Sequence, residues 1–381
     1  MKEKIIKEFK NIKGTARFWV IVVFIFIAFI LLFVAPATIG NVSYDKIKID
    51  KDKKENVIEI SLLDTISYNQ KLITLANNPP QPQPVIKKTK NADGSIIETI
   101  LQPIPRVDKW PVKTVYPNAG AILPFNRVVA YYGNLYSKKM GVLGEYGEEE
   151  MLARLEGEVK KWEAVDPETS VIPALHYIAV VAQGTAGADG KYRLRMEDTE
   201  IDKVLAMANK INAIMFLDIQ VALSDIQTEL PVFEKYLKLP NVHVGIDPEF
   251  SMKTGARPGK VVGTMDGESD VNFVINYLSK IVQENKLTPK ILVVHRYTRG
   301  MLTNFAKIKP TPEVQVVMHM DGWGGKDKKI STYKSFIYTE PVQFTGFKIF
   351  YKNDTKEPDT KIFEPSELLK LNPRPIYIQY Q

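Results

Sequence analysis

Two carboxylates, Asp247 and Glu249, directly follow an apolar run at residues 242–246. The pattern predicts one extended strand over 242–249, in which residues i and i+2 point to the same side. Two close carboxylates push one pKa upward, so one group can donate a proton while the other stays ionised. This division of roles is the chemistry of glycoside hydrolysis. It makes Glu249 the candidate general acid, with Asp247 tuning its pKa, and makes Asp218, at the end of another apolar run, the candidate nucleophile or base.

Most of the other apolar runs also end in polar or titratable residues. If these runs are parallel strands of one barrel, their carboxyl ends meet at the same rim, where such barrels bind substrates. Trp323 stands between glycines and is the candidate for stacking on a sugar ring. The chain has four histidines, and we expect His243, which stands at the start of its apolar run, to be structural. The candidate substrate-binding residues are His176, His295, Arg296, Asp321, Trp323, Tyr131 and Gln379.

Two other functions remain open. One is metal- or histidine-assisted hydrolysis of phosphodiesters, because His319 and Asp321 would point to one side of a strand and His295-Arg296 would supply acid–base and anion-binding groups. His176 and Asp354 would then complete the metal shell, although the helical H-E-x-x-H motif is absent. The other is a non-catalytic surface barrel that binds glycan or a protein partner. The favoured interpretation, carbohydrate hydrolysis, requires no metal ion and no other cofactor.

Short apolar runs alternate with amphipathic segments from residue 121 onward, which is typical of parallel βα units. The predicted helices cover 148–162, 201–210, 225–237, 269–284 and 365–371. The predicted strands cover 127–133, 171–178, 213–220, 242–249, 290–297, 314–321, 347–354 and 375–381. Eight strands in this length predict a (β/α)8 TIM-type barrel over residues 121–381. An open doubly wound sheet is the alternative, but its G-x-G-x-x-G fingerprint is missing after the first strand.

The segment before the barrel has two parts. Residues 18–35 carry no charge, and a helix of this length spans about 27 Å, close to a bilayer core. Six basic residues precede it, so we expect a cytoplasmic tail at 1–17 and an extracytoplasmic location for the rest, with the apolar segment kept as a membrane anchor or cleaved near Ala37. Residues 36–120 are rich in proline and predict a spacer with minor β structure, including a strand at 57–63 and a hairpin turn at 91–94.

Composition narrows the classes of partner. The net charge is +7, but the first 35 residues contribute +4 of it, so the remainder is nearly balanced and gives no reason to expect a nucleic-acid partner. The chain has no cysteine, which excludes disulfides and thiolate metal sites. P-loop, G-x-S-x-G and kinase motifs are absent. The expected partners are a carbohydrate or cell-wall polymer and, through the N-terminal segment, a membrane.

The sequence Gly245-Ile246-Asp247-Pro248-Glu249 resembles the end of the chitinase-type strand motif and the Asp-x-Glu of lysozyme-type barrels. The whole chain looks most like (β/α)8-barrel proteins of unassigned activity that bacteria export and that are similar to glycoside hydrolases. This resemblance implies two-carboxylate hydrolysis of sugars outside the cytoplasm. The chain departs from the chitinase pattern at Val242, His243 and Val244, where the acidic series would begin, and this puts substrate-assisted chitinase chemistry in doubt.

Overall fold

In the computed structural model, which describes residues 62–381, eight parallel strands close into a barrel with helices outside. Each barrel strand pairs with the next along the chain, and the last pairs with the first, Tyr377 with Val128. This closure excludes the open doubly wound sheet. The barrel strands are β3 (Asn126–Gly133), β4 (Ser170–Ala182), β6 (Ile214–Ile219), β7 (Val242–Ile246), β9 (Lys290–Arg296), β11 (Val314–Met320), β12 (Phe344–Ile349) and β13 (Tyr377–Tyr380). The short strands outside it are β1 (Val85–Lys90), β2 (Ile96–Leu101), β5 (Arg193–Arg195), β8 (Met265–Asp266) and β10 (Leu302–Thr303).

The helices follow the predicted alternation but are more broken than expected. The predicted helix at 225–237 is three short turns, because Pro231 lacks the amide hydrogen that a continuous helix needs. The helices of the described chain are α1 (Thr65–Ala76), α2 (Val142–Glu145), α3 (Glu148–Val165), α4 (Asp198–Lys210), α5 (Ile226–Glu229), α6 (Glu234–Leu237), α7 (Asn272–Asn285), α8 (Lys326–Thr332) and α9 (Pro365–Leu368).

Two strands that carry predicted site residues end earlier than the sequence suggested. Strand β7 stops at Ile246, and the next residues form a 3₁₀ turn at Pro248–Phe250. Strand β12 begins at Phe344 and ends at Ile349, so Asp354 lies in the following turn. Proline cannot donate to a ladder of parallel strands, which is why β7 ends just before Pro248.

Alternation along the barrel strands separates two environments. Side chains that point outward pack with the helices in a large apolar core. Side chains that point inward are apolar at the amino ends, where Phe216 and Val293 belong to an inner cluster. Toward the carboxyl ends the interior becomes polar, with His176, Asp218 and His295 all fully buried. The barrel therefore holds its titratable groups in a narrow layer below the carboxyl rim.

Two parts of the described spacer, helix α1 and the segment around Trp110, pack on the barrel, whereas both strands of the β1–β2 hairpin are exposed. Helix α1 inserts Tyr68 into the inner apolar cluster at the amino end of the barrel, and Trp110 is 4% exposed with its indole donating to the Tyr338 carbonyl at 3.1 Å. The helix lies in a stretch without proline, but its sequence has no long apolar stripe, and the prediction of a spacer therefore missed it. The hairpin of β1 and β2 around the predicted turn is confirmed.

The predicted anchor at 18–35 and most of the strand predicted at 57–63 lie outside the described residues. Among residues 62–381, no helix is both long enough and apolar enough to cross a membrane.

Candidate functional site

A cavity of about 550 Å³ opens at the carboxyl ends of the barrel strands. Its walls bring together side chains from most of the barrel strands and from the loops that follow them. Asp247, Glu249 and Asp321 supply its acidic groups, and Lys348 lies among them. The lining also includes Tyr132, Lys139, Gln220, Tyr297, Trp323 and Lys328.

Asp247 and Glu249 both line the cavity, but not as neighbours on a strand. Asp247 caps the turn after β7, with its Oδ1 accepting from the Glu249 amide at 3.1 Å. Its Oδ2 accepts from Gln220 Nε2 at 3.3 Å. Glu249 is half-buried and its Oε1 accepts from the Tyr297 hydroxyl at 2.9 Å. The turn, rather than strand pleating, brings the two carboxyl groups to one wall.

The surroundings raise the pKa of both groups. Burial, followed by the charge of Asp321, raises the pKa of Glu249, while the hydrogen bond from Tyr297 opposes the shift. Burial raises the pKa of Asp247 well above its usual range, and the charges of Asp218 and Asp321 add to this against the opposing charge of His295. The cavity wall thus carries two carboxyl groups whose pKa values are raised, which suits a group that donates a proton.

Asp321 is held in the ionised form across the cavity. Its Oδ2 lies 2.8 Å from His295 Nδ1, and its Oδ1 lies 2.9 Å from Lys348 Nζ. Burial alone would raise the pKa of Asp321, but the charges of Lys348 and His295 outweigh it and lower that pKa. The Lys348 ammonium also sits 3.8 Å from the centre of the Tyr132 ring. Strand β12 therefore delivers a cation that fixes the charge of Asp321.

Asp218 lies beneath the cavity floor and is fully buried. Its Oδ2 accepts from the Tyr132 hydroxyl at 2.9 Å, and its Oδ1 lies 3.2 Å from His176 Nε2 and 3.4 Å from His295 Nε2. Although burial would raise the pKa of Asp218, the charge of His295 and the closeness of both imidazoles hold it well below its usual range. Asp218 is thus an enclosed anion, and Tyr132 and the imidazoles separate it from the cavity.

The two imidazoles around Asp218 have opposite protonation tendencies. Burial lowers the pKa of His176 to about 4, although Asp218 opposes the shift. Burial also acts to lower the pKa of His295, but the charges of Asp218 and Asp321 outweigh it and raise that pKa to about 10. His295 lies between two carboxylates and therefore carries the positive charge of this layer when no metal ion is bound.

Trp323 stands at the rim of the cavity with 47% of its surface exposed. Lys328 Nζ lies 4.6 Å from its ring centre. Asp354 fixes the loop, because its Oδ1 accepts from the Gly324 amide at 3.0 Å and its Oδ2 pairs with buried Lys329. Asp354 therefore supports the Trp323 loop, and it takes no part in a metal shell with His176 and His319.

Several candidate residues lie away from the cavity. Tyr131 points outward from β3, and its hydroxyl lies 3.2 Å from that of Tyr351. Arg296 points outward from β9 and pairs with Glu340. Both follow from the alternation of a strand, because their neighbours Tyr132 and His295 take the inward positions.

Gln379 and the remaining histidines lie inside the barrel. Gln379 is fully buried and donates to the Tyr377 hydroxyl at 3.0 Å. His319 packs edge-on against His295, with ring centres 5.0 Å apart, and burial lowers its pKa well below the usual range. His243 Nδ1 accepts from the Ile291 amide at 3.0 Å, which is a structural contact.

Sequence reasoning missed Lys348, whose ammonium organises the cavity. A signal was present, because Lys348 interrupts the apolar run between Phe347 and Ile349. A lysine in a fully buried strand is rare unless it is paired. Tyr297, whose hydroxyl donates to Glu249, is likewise absent from the candidates that the sequence offered.

The sequence matches no protein-family model, and a search of curated proteins found no significantly similar sequence. The arrangement of the site therefore has to be interpreted from its own geometry.

Proposed function

We propose that this protein hydrolyses glycosidic bonds in a cell-wall or environmental carbohydrate, with Glu249 as the general acid. One observation supports this most: Glu249 and the ion-paired Asp321 share one open cavity whose rim carries a half-exposed tryptophan. Carbohydrate sites combine two carboxyl groups of unlike charge with an aromatic face for the sugar ring. Glu249 and Asp321 meet the first condition, and Trp323 meets the second.

The roles follow from the contacts. Glu249 gives its proton to the glycosidic oxygen as the carbon–oxygen bond breaks, and Tyr297 orients the carboxyl group through the 2.9 Å hydrogen bond. Asp321 stabilises the positive charge that develops on the sugar ring, and its pairing with Lys348 keeps it ionised. A water molecule adds to the ring carbon, and its proton restores the acid form of Glu249. In this assignment Asp321, rather than the enclosed Asp218, acts as the second carboxylate.

The charge of the cavity favours an acidic carbohydrate. Lys139, Lys328 and Lys348 line it, and Asp321 is the acidic group held in the ionised form. Glu249 and Asp247 both have raised pKa values and so add less negative charge. A positive lining attracts anionic substrates and speeds their association at low salt. We therefore expect glycans with carboxylate or phosphate groups to be preferred over neutral ones.

The location is part of the proposal. The uncharged segment at 18–35, with its basic flank, supports a single-pass anchor that places residues 36–381 outside the cytoplasm. Protease treatment of intact cells tests this: the C-terminal region should be degraded without lysis. Protection of the whole chain in intact cells would contradict an extracytoplasmic location.

The activity test uses the purified full-length protein in mild detergent. Release of reducing ends is measured on neutral and acidic glycans and on isolated cell walls. The wild type should release sugar, and Glu249→Gln should lose about 10²–10⁴-fold in rate. Glu156→Gln is the matched control, since Glu156 is exposed on α3 and lies outside the cavity. If the wild type binds glycan without any release, the non-catalytic binding barrel is the better description.

A further inference from the structure

We propose that the buried layer beneath the cavity is a binding site for a divalent transition-metal ion, held by His176 Nε2, Asp218 Oδ1 and His295 Nε2. The three side chains come from β4, β6 and β9, and all are fully buried. Their three ligand atoms lie within 4.8 Å of one another. The favoured interpretation of the sequence required no metal ion, so this proposal departs from it.

The spacing of the three atoms suits a shared metal ion better than direct hydrogen bonds. Asp218 Oδ1 lies 3.2 Å and 3.4 Å from the two imidazole nitrogens. Within residues 62–381, none of the three atoms has a partner in hydrogen-bond geometry. Ligands at about 2.0–2.1 Å from a tetrahedral zinc ion are separated by about 3.3 Å. Two of the three separations match this value and the third is within 4.8 Å, so these buried and orphaned polar atoms point at a common cation.

The other polar atom of each candidate ligand is already held by a partner. His295 Nδ1 lies 2.8 Å from Asp321 Oδ2, and an ionised carboxylate only accepts, so Nδ1 is the donor, and the metal ion would take the place of the second ring proton on Nε2. His176 Nδ1 lies 2.6 Å from the Tyr377 hydroxyl, and Asp218 Oδ2 accepts from Tyr132. Protein metal sites orient their ligands through such outer contacts.

A glycine beside two of the three ligand atoms leaves the required space. A Cβ at Gly245 on β7 would lie 2.3 Å from His176 Nε2 and 2.5 Å from Asp218 Oδ1. Gly245 has no positive φ that would otherwise require glycine. On the far side, Phe216 stacks on the His176 ring with centres 5.0 Å apart and fixes its plane. The neighbouring strands thus open a gap toward the candidate ligands and immobilise one of them.

The donor set selects the class of metal. Two imidazoles and one carboxylate suit zinc and similar first-row ions, whereas calcium and magnesium prefer oxygen ligands. Three protein ligands also leave a coordination position for a further group. The proposal does not depend on the carbohydrate reaction, because metal binding is measured without substrate.

The test is a zinc titration of the full-length protein after removal of metals with a chelator. Calorimetry should give one tight site, and Co²⁺ should give the visible absorption bands of a tetrahedral site. Asp218→Asn should abolish tight binding. Tyr377→Phe, which leaves all three ligands but removes the hydroxyl that contacts His176 Nδ1 and Gln379 Nε2, should weaken binding by about 10–100-fold. Asp354→Asn is the matched control, because Asp354 is equally buried and ion-paired but lies outside the group.

The results that would contradict the metal site differ from those that would contradict the proposed hydrolysis. If wild type binds no zinc tightly, or if Asp218→Asn binds as tightly as wild type, the site is not a metal site and the cation beside Asp218 is a proton on His295. Equal loss in Asp354→Asn and Asp218→Asn, with both variants folded by circular dichroism, would show that binding does not depend on Asp218 as a ligand and would overturn the proposal.

Discussion

Replacing Gly245 with alanine should destabilise the protein by steric conflict alone. The added methyl carbon would lie 2.3 Å from His176 Nε2, where ordinary contacts begin at 3.4 Å, so atoms must move by about 1 Å. Close-packed interiors resist such movement, and overpacking of this kind costs about 1–3 kcal/mol. The nearest groups are a ring stacked on Phe216 and a carboxylate held by Tyr132, and neither is the free end of a flexible side chain.

Gly157→Ala provides a matched control with the opposite expected sign. Gly157 lies inside helix α3, and a Cβ there would meet no other described atom within 4 Å. Glycine in a helix interior is less stable than alanine by roughly 0.5–1 kcal/mol, so this variant should be more stable than wild type. The same chemical change should therefore separate the two proteins by roughly 1.5–4 kcal/mol in free energy of unfolding.

Urea unfolding followed by tryptophan fluorescence measures the difference. Chelator is present throughout, so that metal binding does not contribute to the free energy of unfolding. Gly245→Ala should lower the midpoint and Gly157→Ala should raise it, at an unchanged dependence on urea. If Gly245→Ala unfolds at the wild-type midpoint or above it, the close approach of β7 to His176 and Asp218 is refuted, and with it the packing argument for this layer.

Three other predictions concern the cavity and the barrel wall. Glycan hydrolysis should fall as pH rises through the raised pKa of Glu249, because only the acid form of Glu249 donates a proton. Tyr297→Phe removes a hydrogen bond that lowers this pKa, so the alkaline limb of the rate profile should move to higher pH. Trp323→Ala should weaken glycan binding, measured by calorimetry, by several-fold at unchanged stability, because the ring is 47% exposed. Glu340→Gln should lower the free energy of unfolding by about 3 kcal/mol, because it leaves the buried guanidinium of Arg296 without its counter-ion.

Each of these three predictions can be contradicted by a specific result. An alkaline limb that stays in place in Tyr297→Phe would separate the rate profile from Glu249. Unchanged affinity in Trp323→Ala would remove the sugar-stacking role. Glu268→Gln is the control for Glu340→Gln, because Glu268 pairs with Lys307 at the exposed surface and its loss should leave the unfolding midpoint unchanged. Equal midpoints for the two glutamate variants would contradict a stabilising role for the buried pair.

The barrel itself could be predicted from the sequence, because apolar runs at regular spacing report burial in parallel strands. All eight predicted strands exist, and the carboxyl ends of several bring titratable residues together as expected. The period of two along each strand also predicts which side chains point into the barrel. If His176 and His295 point inward, then Arg296 must point outward, and the sequence order alone implies it.

Tertiary structure decided which polar groups share a surface. The turn after β7 places Glu249 in the cavity through the Asp247 cap, which no strand periodicity describes. Lys348 and Asp321 meet only because β11 and β12 are neighbours in the closed sheet. The convergence of His176, Asp218 and His295 is likewise a property of closure, since residues more than 100 positions apart reach one point. Sequence patterns record local burial, whereas distances across a barrel depend on how the strands are tilted and staggered when the sheet closes.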